Sequence, residues 1–233
     1  MIKLTLVIPC YNEENNLPIL IKNLSKLNKN INFLIIDNGS SDNSTTYLRE
    51  NEKKLNKNIS ILYIENNEGY GAGVYEGLIS ITDTDYIGWL HGDLQFEFEK
   101  INDLYSRLNE LSKKHNKIFF KGVRTGRSLI ERFISLIMGI IASIILKYKF
   151  REINAQPTVF SIELMSHFEN PPKDFKFDTY VYWLAMKEGY ILIRDKINFP
   201  KREYGSSAWN FGIKSRLKFS FNLITYFTKL KKQ

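Results

Sequence analysis

Residues 4–20 read LTLVIPCYNEENNLPIL, and this stretch decides the fold. A short apolar run, Leu4–Pro9, suits a buried strand, and a polar cluster ends it. Leucines at helical spacing follow, with Pro18 tolerated in the first turn. Similar apolar runs recur at Phe33–Asp37, Ile59–Glu65, Tyr86–Leu90 and Lys117–Val123. Strands that alternate with helices predict an α/β fold, with a mostly parallel central sheet flanked by helices.

The second half of the chain departs from this regular alternation. Its pattern predicts helices at Ser128–Lys147 and Phe177–Glu188, strands at Pro157–Ser161 and Ile191–Phe199, and a basic amphipathic helix at Asn210–Lys231. No repeat or linker interrupts the 233 residues, so we predict one domain. Its parts are residues 1–127, where strands and helices alternate regularly, residues 128–209, where the pattern changes, and the helix within 210–233.

The net charge of +8 lies entirely in the last part of the chain. From Lys196 onward there are nine Lys and Arg residues against one acid, Glu203. This basic, aromatic-rich tail favours anionic partners, and we interpret it as a helix at a membrane interface. The longest nearly uncharged apolar stretch, Phe133–Leu146, has fourteen residues. Because a span needs about 20, we expect no transmembrane helix, and we expect no signal peptide.

Polar or glycine-rich clusters follow all five strands predicted in the first half. They read PCYNEEN, DNGSSD, NNEGYGAG, HGDLQ and GVRTGR. Since ligands bind at the carboxyl ends of parallel strands, these clusters predict a binding site along one edge of the sheet. Asp37 could accept hydrogen bonds from a nucleobase or could cap a helix, and Cys10 is expected to be a core residue.

The sharpest cluster is HGDLQ at residues 91–95. Asp93 follows a buried strand, and Gln95 comes two residues later. Such oxygen ligands suit Mg²⁺ or Mn²⁺, which bridges substrate phosphates and neutralises a diphosphate leaving group.

These clusters resemble those of family 2 glycosyltransferases, and most closely the dolichol- and polyprenyl-phosphate hexose synthases. The similar segments are IPCYNEENN, IIDNGSSDNS, NNEGYGAGVYEG, HGDLQ and KREYGSS, so the resemblance covers nearly the whole chain. It implies a glycosyltransferase A-type fold. Asn38 and His91 stand where the family usually has aspartates, and NAQPTVFS replaces its Gly-Phe-Arg segment.

The resemblance also implies roles for particular residues. The nucleotide-sugar site would comprise Pro9, Tyr11, Glu13, Asp37, Gly71, His91, Gly92 and Asp93. Asp93 and Gln95 would hold the metal, with His91 as a further ligand. The acceptor phosphate would be bound by Arg124, Arg132, Ser135 and Arg202. Arginine suits this task because its fork makes two parallel hydrogen bonds to phosphate.

We therefore expect an inverting transfer of a hexose from a nucleoside-diphosphate sugar to a polyprenyl phosphate, on the cytoplasmic face of the membrane. Asp93, Arg124 and Asp178 are the candidate catalytic residues. A phosphate acceptor needs no general base, whereas a saccharide hydroxyl, including that of a lipid-linked glycan, would need one, and Asp178 is the candidate. More distant alternatives are a nucleic-acid-binding protein, for which no motif is present, and a catalytically inactive binding protein, which only His91 suggests.

Overall fold

The structure is a computed structural model that describes the backbone of residues 1–200 and 212–232 and the side chains of residues 1–200 and 221–232. Arg202, a predicted acceptor ligand, lies outside the described residues. The described part contains a seven-stranded sheet in the order β3-β2-β1-β4-β6-β5-β7. The strands are β1 Leu4–Cys10, β2 Ile31–Asn38, β3 Ile59–Ile64, β4 Tyr86–Trp89, β5 Ile118–Thr125, β6 Thr158–Ser161 and β7 Ile191–Asn198.

Within the described residues, seven α-helices cover this sheet. They are α1 Leu17–Leu24, α2 Ser44–Asn51, α3 Tyr70–Ile79, α4 Lys100–Leu111, α5 Leu129–Leu146, α6 Lys176–Lys187 and α7 Gly212–Leu230. Buried leucines and aromatic residues of α1, α2 and α4 pack on one face of the sheet. Those of α3, α5, α6 and α7 pack on the other face. The strands and helices named above are thus confirmed, with their described ends shifted by at most two residues, whereas Asn210, the predicted start of the last helix, lies outside the described residues.

The pairing of the strands places the predicted clusters on one edge. β1 pairs in parallel with β2 and β4, β2 with β3, and β5 with β7. Strand β6 is antiparallel to both of its neighbours, β4 and β5. The carboxyl ends of β1, β2, β3, β4 and β5 therefore lie along the same edge, which we call the rim. A separate cavity of about 440 Å³ opens beside Tyr86 and Ser161, at the opposite edge, where ligands of open α/β sheets do not bind.

Helix α5 begins with a capping box and leaves most of its surface uncovered. The Ser128 hydroxyl accepts from the Glu131 backbone N–H, and the Glu131 carboxylate accepts from the Ser128 N–H. With 18 residues, α5 is by length and composition long and apolar enough to cross a membrane, four residues longer than the stretch noted in the sequence, and the expectation that it does not cross one stays a prediction. The additional length is the first turn, which carries Glu131 and Arg132. Only 17% of α5 is buried.

Candidate functional site

The loops that follow β1 and β2 are tied together by Asn12. This residue adopts the left-handed conformation at φ 56°, which asparagine tolerates well. Its side-chain oxygen accepts the backbone N–H groups of Ser41 at 2.8 Å and Asp42 at 3.3 Å. The Glu13 N–H donates to the Ser44 hydroxyl at 2.9 Å. The two loops therefore form one rigid wall of the rim, although the sequence analysis did not single out Asn12.

The residues predicted to bind the nucleotide occupy this wall. Tyr11 is 48% exposed, whereas Pro9 and Glu13 are half-buried. Asp37 is 2% exposed, and one of its oxygens accepts the Ser40 N–H at 3.1 Å. The other oxygen accepts the Thr45 hydroxyl. Asp37 thus holds the turn that leads into α2, but the N-cap residue of α2 is Asn43, so the helix-cap interpretation of Asp37 is wrong, and its role in base recognition stays a prediction.

Close packing explains the glycine-rich segment that leads into α3. A Cβ at Gly71 would lie 2.4 Å from the Pro172 carbonyl oxygen, and one at Gly73 would lie 2.6 Å from the Asn38 side chain. Asn38 in turn donates to the Gly69 carbonyl at 3.2 Å. An ionised aspartate at position 38 could not make this bond, because it has no donor. The departure from the family pattern therefore has a structural reason, and Gly71 as a donor ligand stays a prediction.

The predicted metal motif follows β4 at the centre of the rim. A Cβ at Gly92 would lie 2.7 Å from the Cys10 sulfur, so this glycine lets the loop pass close to the end of β1. Cys10 is buried, and burial raises the pKa of its thiol well above 9.0, so its interpretation as a core residue is confirmed. Asp93 accepts the Gln95 backbone N–H at 3.3 Å, while the Gln95 amide donates to the Pro200 carbonyl at 2.9 Å.

His91 belongs to a column of three stacked rings. Its imidazole lies 5.3 Å from the Tyr70 ring at an interplanar angle of 9°. On its other side, Tyr70 stacks on Phe175 at 4.8 Å and 15°. Burial, followed by the charge of Asp178, raises the pKa of Tyr70 well above its usual value. The column fixes the plane of the His91 ring and connects the metal motif to the segment before α6.

Asp178 lies behind this column in a buried polar cluster. It is 2% exposed, and one of its oxygens accepts the Gln156 amide at 3.2 Å. The same oxygen lies 3.7 Å from the Lys121 ammonium, which donates to the Thr158 hydroxyl at 2.8 Å. Lys121 is fully buried, and burial lowers its pKa to about 8 despite the opposing charge of Asp178. The candidate base is therefore half of a buried ion pair.

The arginines at the end of β5 and at the start of α5 differ in their surroundings. Arg127 donates to the Ser135 hydroxyl at 2.9 Å, whereas Arg132 is exposed on α5. Arg124 and Arg127 both approach the carboxylate of Glu152, at 2.7 Å and 3.6 Å. Gly126, at φ 79°, turns the chain so that Arg127 reaches back to Ser135, and the roles of Arg132 and Ser135 as acceptor ligands stay predictions.

The side chains of the HGDLQ motif fit a divalent cation whose coordination shell is completed by the substrate. In the part of the chain that the structure describes, no group of three His, Cys, Asp or Glu residues could hold a metal ion alone. Asp93 offers one carboxylate, and Gln95 and His91, which are close to it in sequence, offer two neutral ligands. Mg²⁺ typically binds through one or two carboxylates together with substrate phosphates and water, which agrees with this small donor set.

The sequence comparison decides the family. Residues 5–168 match the family described as "Glycosyl transferase family 2". The chain belongs to glycosyl transferase family 2. The matched range contains every rim cluster, from the loop after β1 to Ser135, but ends before Asp178. This glycosyltransferase has no match among curated proteins.

Solved glycosyltransferase structures share the fold. The structure of S. aureus TarS 1–349 superposes with a TM-score of 0.60 at 16% identity, over 84% of this chain and 60% of that one. Mannosyltransferase PcManGT from Pyrobaculum calidifontis, with GDP-Man and Mn²⁺, gives 0.62 at 16% identity, over 87% of this chain and 59% of that one. Glucosyl-3-phosphoglycerate synthase from Mycobacterium tuberculosis, with Mn²⁺, UDP-Glc and phosphoglyceric acid, gives 0.68 at 13% identity, over 98% and 80%.

The present chain therefore spans about 60% of the first two neighbours. Their similarity confirms the glycosyltransferase A-type fold that the sequence predicts.

Proposed function

We propose that this family 2 glycosyltransferase transfers a hexose from a nucleoside-diphosphate sugar to a polyprenyl phosphate at the cytoplasmic membrane surface. The observation that carries the proposal is the position of the arginine set. Arg124 and Arg127 lie between the rim and the start of α5, the most exposed apolar helix of the described residues. A phosphate receptor beside an uncovered apolar surface suits an acceptor with an anionic head and a hydrocarbon tail.

The rim supplies the donor side of this reaction. Two solved structures with the same fold hold GDP-Man and UDP-Glc together with Mn²⁺. By analogy, Asp93 would hold Mg²⁺ or Mn²⁺ with Gln95 and His91, and the cation would neutralise charge on the departing diphosphate. The wall that contains Tyr11 and Asp37 would bind the nucleoside. The flat His91 ring would keep its orientation because Tyr70 supports it.

The membrane side of the proposal rests on the two faces of α5. Gly139, Ala142 and Leu146 are buried against the domain, and a Cβ at Gly139 would lie 2.8 Å from the Phe150 carbonyl. Large apolar side chains on the other face are exposed, including Leu129 at 79%, Phe133 at 62% and Ile144 at 73%. A helix packed along its own domain lies in the interface rather than across the bilayer. On α7, Phe221 is also 70% exposed.

A saccharide hydroxyl is the second candidate acceptor, as in the building of a lipid-linked or cell-surface glycan. Its support is the position of Asp178. This residue contacts Tyr70, and the Tyr70 ring stacks on the His91 imidazole, so one side chain separates Asp178 from His91. A hydroxyl acceptor requires a general base close to the metal motif. However, Lys121 and Gln156 already engage the Asp178 carboxylate, which favours a positioning role and therefore the phosphate acceptor.

The acceptor test compares lipids that differ only in the head group. A panel of radiolabelled nucleotide sugars is incubated with Mn²⁺ and either undecaprenyl phosphate or undecaprenol, and the label extracted into organic solvent is counted. We expect transfer to the phosphate and none to the alcohol. Label that moves only to saccharide acceptors would overturn the lipid-phosphate proposal and support the second candidate.

The location test uses sedimentation with vesicles. We expect binding to anionic vesicles that falls in high salt, because screening weakens the attraction of basic residues to the surface. Replacing exposed Phe133 and Ile144 by serine should reduce the bound fraction, whereas replacing exposed Ile79, far from α5 in sequence, should not. Wild-type protein that stays in the supernatant at low salt would contradict a membrane-surface location.

A further inference from the structure

Glu152 holds two arginines with a single carboxylate oxygen. Its Oε2 atom lies 2.7 Å from Arg124 Nε and 3.6 Å from Arg127 Nη1. The three side chains are shielded alike, with exposures of 13% for Arg124, 14% for Arg127 and 16% for Glu152. Two guanidinium groups repel each other at this distance, and burial together with the Arg124 charge lowers the pKa of Arg127. The Glu152 carboxylate, with a smaller contribution from Glu131, offsets the repulsion between the two guanidinium groups.

The remaining contacts fix the arginines and leave donors free. Arg127 is anchored to α5 through the Ser135 hydroxyl, at 2.9 Å, and the Glu131 carbonyl, at 3.4 Å. Arg124 lies over the Phe199 ring, with its guanidinium carbon 5.7 Å from the ring centre. Glu152 contacts the Nε atom of Arg124, and within residues 1–200 and 221–232 no hydrogen bond is made by either terminal nitrogen, so among these residues the outer fork is open to a ligand.

The backbone at Glu152 also shows that its position is imposed. Its φ is 48°, in the left-handed region that non-glycine residues seldom adopt. Such a conformation persists only where the surrounding structure determines it. Here the Glu152 carbonyl accepts the Ala155 N–H at 3.0 Å, which closes a tight turn and directs the carboxylate toward β5.

We propose that Glu152 is a positioning residue that assembles Arg124 and Arg127 into a receptor for a phosphate monoester. The two arginines carry +2, and the carboxylates of Glu152 and Glu131 both interact with them, so the attraction for a phosphate comes from the directed guanidinium donors rather than from net charge. The free fork of Arg124 matches phosphate geometry, and Arg127 adds a second charge from the side of α5. That the phosphate is a lipid head group rests on the proposed function, whereas the receptor itself does not.

The test measures direct binding of two probes by calorimetry, inorganic phosphate and farnesyl phosphate, a soluble fifteen-carbon polyprenyl phosphate. We expect the wild type to bind both, and Glu152→Gln to bind each about tenfold more weakly, because loss of one charge-assisted contact has about that effect. Glu152→Asp keeps the charge but shortens the reach, so we expect an intermediate loss. Nucleoside-diphosphate affinity should not change. Glu50→Gln, at an exposed carboxylate of α2, is the matched control.

Each other outcome is decisive. If Glu152 merely occupies the phosphate site, Glu152→Gln binds phosphate more tightly, and the positioning role is overturned. Unchanged phosphate affinity, or no phosphate binding by the wild type, overturns it as well. If Glu152→Gln does not fold, Glu152→Asp carries the same comparison. Wild-type protein that binds farnesyl phosphate but never glycosylates a lipid phosphate refutes the proposed function and leaves the receptor standing.

Discussion

Removing the charge of Lys121 should destabilise the fold strongly. The Lys121 side chain is fully buried, and its ammonium lies 3.7 Å from an Asp178 carboxylate that is 2% exposed. Lys121→Met preserves most of the volume but leaves Asp178 as a buried charge without this partner. Breaking a buried ion pair from one side costs about 3–5 kcal/mol, a large share of the roughly 5–15 kcal/mol that stabilises a typical domain.

The pH dependence of stability identifies the same group. The pKa of Lys121 falls from 10.5 to about 8 on folding, mainly because of burial. Between these values the unfolded chain holds more protons, so this lysine makes the free energy of unfolding rise with pH. The full rise is about 3 kcal/mol, at about 1.4 kcal/mol per pKa unit, and most of it should appear between pH 8 and 10.

Urea unfolding at pH 7.5 and 9.5 tests both the destabilisation by Lys121→Met and the rise of the free energy of unfolding with pH. Relative to Lys121→Met, the wild type should gain about 2 kcal/mol over this interval. Lys114→Met, at an exposed lysine, should follow the wild type at both pH values. Adding Asp178→Asn to Lys121→Met should recover part of the lost stability. Parallel pH profiles for the wild type and Lys121→Met, or a destabilisation below about 1 kcal/mol, would refute the buried ion pair.

Three further predictions concern activity. Asp93→Ala should abolish nearly all transfer, because the loss of a cation ligand is worth several kcal/mol, and His91→Ala should reduce turnover less. Near-normal turnover of Asp93→Ala in a radiolabel assay would exclude the metal role of Asp93. Asp37→Ala should weaken the binding of free nucleoside diphosphate in calorimetry, and an unchanged affinity would leave Asp37 only its structural contacts with Ser40 and Thr45. Asp178→Asn should lower turnover mildly with a phosphate acceptor, whereas a severe loss would identify Asp178 as the base for a hydroxyl acceptor.

Local patterns were enough to predict most of the fold. The apolar runs before Cys10 and Asp37 are strands because both faces of a parallel sheet are buried, so every position in them favours an apolar residue. The same reasoning placed the polar clusters on one rim. It gave β6 as a strand but not its neighbours or direction, because those depend on pairing with β4 and β5 across long separations in sequence.

The contacts that complete the site could not be predicted. Lys121 belongs to an apolar run, yet lysine is seldom fully buried, and its burial depends on Asp178, which is 57 residues away in the sequence. The stacking of His91 on Tyr70 joins separate loops in the same way. The hydrogen bond from Arg127 to Ser135 depends on the turn at Gly126, whose φ of 79° a sequence pattern does not specify.

The central claim is that the rim binds a nucleoside diphosphate through a divalent cation, and calorimetry tests it most directly. UDP and GDP are titrated into the wild type and Asp93→Ala, with and without Mn²⁺. We expect at least one nucleotide to bind the wild type in the presence of Mn²⁺. Binding should weaken markedly when either Mn²⁺ or the Asp93 carboxylate is removed. Failure of the wild type to bind either nucleotide with Mn²⁺ present would contradict the account.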